Sequence, residues 1–133
     1  MFLVNLSEKE KQLFLQASLH ISHSDEKFSD EEKLVIVTLC QEMAIPVSNE
    51  LTQSLDEVLN ELKQIASPPI KRSIVFELAG VIMADEVYAD SEKALMARIS
   101  DALGVDIEVS EESVRLITQM SEIYKSAAKL IRG

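Results

Sequence analysis

The chain repeats itself once, without a gap. The stretch Asp25-Glu26-Lys27-Phe28-Ser29-Asp30-Glu31-Glu32-Lys33 recurs as Asp85-Glu86-Val87-Tyr88-Ala89-Asp90-Ser91-Glu92-Lys93. Both copies read D-E-x-aromatic-x-D-x-E-K, and the apolar positions around them superpose. Repeated apolar positions require only a repeated fold. Repeated acids in a fixed frame point either to a repeated turn design or to a repeated cation site.

The period of the flanking residues is helical. Phe14, Ser18, Ile21 and Asp25 form one stripe, and Ile74, Leu78, Val81 and Asp85 form its counterpart. After each turn, Glu32, Ile36, Leu39 and Met43 are matched by Glu92, Met96, Ile99 and Leu103. Spacings of three and four place each set on one helix face. Each acid pair therefore sits at the tip of an antiparallel helical hairpin, with Asp25 and Asp85 ending a core-facing stripe and Glu32 and Glu92 beginning one.

Cap signals extend the pattern over the chain. Ser7 with Glu10, Ser29 with Glu32 and Ser54 with Glu57 read as capping boxes. Ser67-Pro68-Pro69 breaks the chain, with Pro69 at a first helical position. Gly104 ends a helix, and Ser110 reads as the cap of the last one. These signals predict helices at 8–24, 30–44, 49–53, 55–66, 69–85, 91–103 and 111–131. The segment 69–85 is apolar almost all round and is expected to be the most buried helix. With only 3 Gly and 3 Pro in 133 residues, an all-β fold lacks the turn residues it needs. The expected fold is all-α: a single domain over 1–133, a compact bundle of about seven helices built from two related hairpins.

Charge and composition bound the function. A net charge of −10 disfavours nucleic acid and anionic membrane and favours cations or a basic protein partner. The single cysteine, Cys40, forms no intramolecular disulfide and falls in an apolar helical pattern, which predicts a buried reduced thiol. The longest uncharged apolar run, Leu78 to Ala84, is far short of the ~20 residues of a membrane span. Met1-Phe2-Leu3-Val4 lacks the length and basic flank of a signal peptide. The expected location is cytoplasmic, with no membrane insertion.

Two readings of the acids follow. As structure, Asp25 and Asp85 accept hydrogen bonds from loop N–H groups, Glu32 and Glu92 complete caps, Asp30–Lys33 and Asp90–Lys93 are surface pairs, and Phe28 and Tyr88 plug the tips. As chemistry, the oxygen-rich clusters suit a hard cation, Ca2+ or Mg2+, with Asp25, Glu32, Asp85 and Glu92 as ligands and Glu26 and Glu86 as weaker candidates. Ala89 stands where the first copy has Ser29, so the second copy keeps Glu92 without a hydroxyl cap. The loops are not EF-hands: Ile36 and Met96 occupy the twelfth positions.

The opening Leu6-Ser7-Glu8-Lys9-Glu10-Lys11, the stretch Asp25 to Lys33, the run Leu78-Ala79-Gly80-Val81-Ile82-Met83-Ala84-Asp85 continuing to Glu92, and Asp101-Ala102-Leu103-Gly104-Val105 resemble the TerB-like family of tellurite-resistance proteins. The likeness covers residues 6 to 131. It implies a compact helical domain with internal two-fold character, a link to metal or oxidative stress, and divalent-cation binding at the acidic cluster. Asp25, Glu32, Asp85 and Glu92 match the family's acidic positions. The chain departs from the family where Glu26 and Glu86 replace the Gly that commonly follows the Asp.

The remaining candidates are weaker. His20 and His23, at i and i+3, have the spacing of a metal pair, but their repeat counterparts are Gly80 and Met83, and exposed helical histidines are the plainer reading. Cys40 lies about three turns from the histidines' end of the hairpin, and no phosphate loop, nucleophile elbow or HExxH occurs. The expected function is a non-enzymatic, acidic binding module of a stress-response type that requires no cofactor. The alternative is a scaffold that docks a partner through an acidic or apolar groove, its tip acids only capping helices. A metal-dependent hydrolase comes third.

Overall fold

The computed structural model describes residues 1–23, 29–85 and 90–133, the side chain of Asp85 excepted. All regular structure there is helical: α1 (Glu8–Ser22), α2 (Asp30–Met43), α3 (Leu55–Ile65), α4 (Pro68–Ile82), α5 (Asp90–Leu103) and α6 (Ile107–Arg132), with 3-10 turns at Leu3–Asn5 and Met83–Asp85. The sequence repeat carries through to the element bounds. The offset that takes Asp25 to Asp85 also takes both ends of α1 to those of α4, and both ends of α2 to those of α5. Within each half the first helix packs on the second; α3 then lies on α1 and α6 on α4, and α1 and α4 pack together at the centre.

The caps explain the starts. Ser7 and Ser29 form reciprocal capping boxes with Glu10 and Glu32, and Ser54 and Ser67 accept from the N–H groups of Glu57 and Ile70. Pro68, rather than Pro69, takes the first position of α4, where a missing N–H leaves no bond unmade. The repeat also governs the ends. Ile45 N–H donates to Cys40 O at 3.0 Å, and Val105 N–H to Ser100 O at 2.8 Å. Between them Ala44 (φ 57°) and Gly104 (φ 72°) take the left-handed conformation that closes such a motif. Only the second copy uses glycine there. Ala44→Gly is therefore expected to stabilise the protein by about 0.5–1 kcal/mol in urea denaturation, because Cβ is disfavoured in that region. A destabilised variant would show that the strain at Ala44 is absent.

Three expectations are corrected. Residues 49–53 are not helical; there the backbone is held instead by side chains, Gln16 Nε2–H donating to Glu50 O at 2.8 Å and Thr52 N–H to Gln16 Oε1 at 2.9 Å. The last helix starts at Ile107, capped by Asp106, whose side chain accepts from Glu108 N–H at 3.0 Å. Ser110 and Ser113 are buried in its first two turns, where small side chains suit the close packing of α6 on α4. Six α-helices, not seven, are described.

The most buried helix is α1 rather than α4. Buried α1 residues include Leu13, Phe14, Leu15, Ala17, Leu19 and Ile21, but also Glu10, Gln16, Ser18 and Ser22. The polar ones lower its apparent hydropathy, yet burial is tolerated where they are hydrogen-bonded: Glu10 accepts from Ser7 N–H at 2.8 Å, and Ser18 Oγ–H donates to Phe14 O at 2.9 Å. No described helix is long and apolar enough to cross a membrane.

Candidate functional site

At the first hairpin tip, Glu32 Oε1 accepts from Ser29 N–H at 3.2 Å and from Ser29 Oγ–H at 3.0 Å, and Ser29 Oγ accepts from Glu32 N–H at 3.1 Å. This carboxylate closes a cap, satisfying donors that a helix start leaves orphaned. At the second tip Glu92 is half-buried in the first turn of α5. The flanking acids make the surface pairs their spacing implies, Asp30 with Lys33 at 3.9 Å and Asp90 with Lys93 at 3.8 Å. Asp25, Glu26 and Glu86, with Phe28 and Tyr88, lie outside the described residues, as does the side chain of Asp85. Among the described residues no three His, Cys, Asp or Glu side chains group closely enough to hold an ion.

The other sequence candidates have structural positions. His20 is half-buried, not exposed, and its Nε2–H donates to Gln53 O at 2.6 Å, tying α1 to the segment before α3. That bond commits one ring nitrogen as a donor. His23 is exposed at the end of α1. Cys40 is fully buried; burial pushes its thiol up, and the Ser48 backbone only partly offsets this. A protonated, enclosed thiol is a poor nucleophile.

An apolar groove lies elsewhere, between α4 and the first half of α6. Its volume is about 510 Å³ and its apolar lining comes from Phe2, Phe76, Val109 and Leu116, with Arg72, Glu108 and Glu112 among its polar members. Two acids shape it. Glu77, buried on α4, accepts from Phe2 N–H at 2.8 Å, and Glu42 on α2 accepts from Leu3 N–H at 3.1 Å. So held, Phe2 meets Phe76 edge-on, ring centres 5.7 Å apart and planes at 74°, a favoured aromatic geometry. Glu112 is paired in-helix with Arg115, whose hydrogen bond holds the carboxylate below its usual range.

Sequence reasoning missed this groove because Phe76 sits in a segment read as apolar almost all round and expected to be the most buried, and Phe2 precedes the first cap. The available signal was length. Each residue lengthens a helix by about 1.5 Å. On that rise α6, with its 26 residues, far outruns the 15-residue α4 beneath it, and its apolar stripe continues past α4 exposed among the described residues. Leu116 is 38% exposed, Met120 41%, Ile123 69% and Leu130 82%.

Comparison with known protein families, with characterised proteins and with solved structures yields no match.

Proposed function

We propose that this protein is a non-enzymatic interaction module that docks a partner protein through the α4–α6 groove, its described tip acids serving as helix caps. The observation that carries the reading is the groove itself: aromatic and aliphatic walls at the surface, with Phe2 placed by the bonds of Glu77 and Glu42 to the backbone of residues 2 and 3, beside a helix whose apolar face runs on exposed. Concave apolar surface with a few polar groups is where proteins take ligands. Caps account for Glu32 without a ligand, Cys40 is packed in the core, and His20 ties α1 to the segment before α3.

The test is affinity capture with the wild-type protein against Leu116→Glu, which puts a charge on the groove wall at a partly exposed position. Capture should fall at least tenfold in the variant. A charge-led complex with a basic partner should also weaken as salt shortens the Debye length from ~10 Å at 0.1 M to ~3 Å at 1 M. Capture unchanged in Leu116→Glu would remove the groove as a docking site for another protein.

A second reading keeps the hairpin tips as Ca2+ or Mg2+ sites in a stress-response protein of the tellurite-resistance type. It is favoured by the acid-dense repeat and by Ala89, which gives the second copy no hydroxyl to cap its helix. A cation that binds only the folded chain should raise its stability by about 2.7 kcal/mol at a hundred times its Kd. Asp25→Asn with Asp85→Asn should abolish that gain. Melting temperatures indifferent to millimolar Ca2+ and Mg2+ would exclude it.

A further inference from the structure

The uncovered half of α6 has a defined pattern. Ser113, Leu116, Met120, Ile123, Ala127 and Leu130 follow one another at spacings of three, four, three, four and three. These are the spacings of the a and d positions of successive heptads, the pattern that two-stranded coiled coils pair through. Exposure climbs along it as the helix leaves the body, from 3% at Ser113 to 82% at Leu130, with Ile131 beside it at 85% and Tyr124 at 76%. A single-sided apolar seam of this kind on an otherwise charged protein lacks its other strand.

Charge identifies that strand. The first turns of α6 are acidic, with Glu108, Glu111 and Glu112, and its last turn is basic, with Lys129 and Arg132. In a chain of net charge −10, this helix end is where the sign reverses. A second α6 laid antiparallel sets acidic turns against basic ones and opposes the two helix dipoles favourably. A parallel copy sets like against like.

We propose that the partner is a second copy of this chain, bound through an antiparallel α6–α6 pair in which the apolar end of each helix enters the α4–α6 groove of the other. One register satisfies the seam. Met120 meets the partner's Ile123, Leu116 meets the partner's Ala127, and Ser113, lining the groove, meets the partner's Leu130. Ser113 is buried at the groove floor, and the partner's Leu130, 82% exposed in the single chain, lies over it. The symmetry is closed, since each copy gives one helix end and receives one, as a two-fold dimer requires. The proposal rests on the groove reading above and names its occupant.

The test is sedimentation velocity across a wide range of micromolar protein concentrations. The wild type should sediment as a species of twice the 14.8 kDa of the single chain. Leu130→Glu with Ile131→Glu should weaken association by at least ~100-fold while leaving the cooperative unfolding of the helical body in place, because both positions are almost fully exposed. Spin labels on Arg132→Cys, with the buried Cys40 left in place, should lie about 30 Å apart in the antiparallel register, against about 10 Å for parallel helices. A monomer throughout the range, a dimer that survives the double variant, or the short label distance would each overturn the proposal. A monomer that co-sediments with phosphatidylserine vesicles would assign the seam to a lipid surface instead. A monomer whose capture of other proteins still depends on Leu116 would sink self-pairing yet leave the groove standing. A dimer alongside capture indifferent to Leu116 would show that the groove serves no partner but its own chain.

Discussion

Phe14→Ala is expected to remove about 3–5 kcal/mol of stability, the range for deleting a large buried aromatic side chain. Phe14 is 0% exposed and heads the largest fully buried side chains of the described core. It lies on α1, which packs against α2, α3 and α4, so a cavity there borders several elements that cannot all close on it. A domain of this size has about 5–15 kcal/mol in total, so the loss is a large share of it. The melting temperature should fall by roughly 10–20 °C. A loss under ~1 kcal/mol in urea titration, well below the usual cost of such a cavity, would mean that α1 is not the centre of the core.

Gln16→Leu should cost about 2 kcal/mol, on the order of two hydrogen-bonding groups each left without a partner. The substitution keeps the volume and adds apolar surface, so a packing argument alone predicts no loss. The unmade bonds decide otherwise: Glu50 C=O and Thr52 N–H both lose their side-chain partner, and an orphaned group that is only partly wetted costs on the order of 1 kcal/mol or more. Gln16→Glu separates the two bonds. It keeps an acceptor for Thr52 N–H but turns a carboxylate toward the Glu50 carbonyl, so it should be at least as damaging. Amide exchange at Thr52 is the local readout, accelerated in Gln16→Leu and retained in Gln16→Glu. Unchanged exchange in both would show that the segment 46–54 is held by other means.

Much of the fold was legible because its signals were local and doubled. Caps at Ser7, Ser29 and Ser54 sit where a serine hydroxyl meets the N–H three residues on, a relation that spacing alone can state. The repeat then tied the bounds of α4 and α5 to those of α1 and α2. What failed was non-local. Residues 49–53 lost their helix to Gln16, which is remote in the chain and adjacent only in the fold. Ser110 looked like a cap because serine is favoured just outside a helix, yet here it is a small buried residue within the first turn of α6. The centrality of α1 was hidden by Gln16, Ser18 and Glu10, polar residues whose neighbours only the fold supplies. The cap made by Glu32 could be read from its distance to Ser29, while the groove needed the tertiary position of Phe2, set by two carboxylates on different helices.

The length of α6 makes it a single element with two regimes of endurance. Its inner turns are fastened by packing on α4 and α5 and should open only with the whole molecule. Its outer turns, about half the helix, have chiefly their own backbone bonds, and a free helix of that length in water is marginal. Deuterium uptake should therefore rise along one unbroken helix, slow near Val109 and fast near Leu130. The steepness of that gradient should depend on protein concentration if a companion strand lends the outer turns its cover. The helix thus carries its own gauge of association, readable amide by amide without a label or a change in fold.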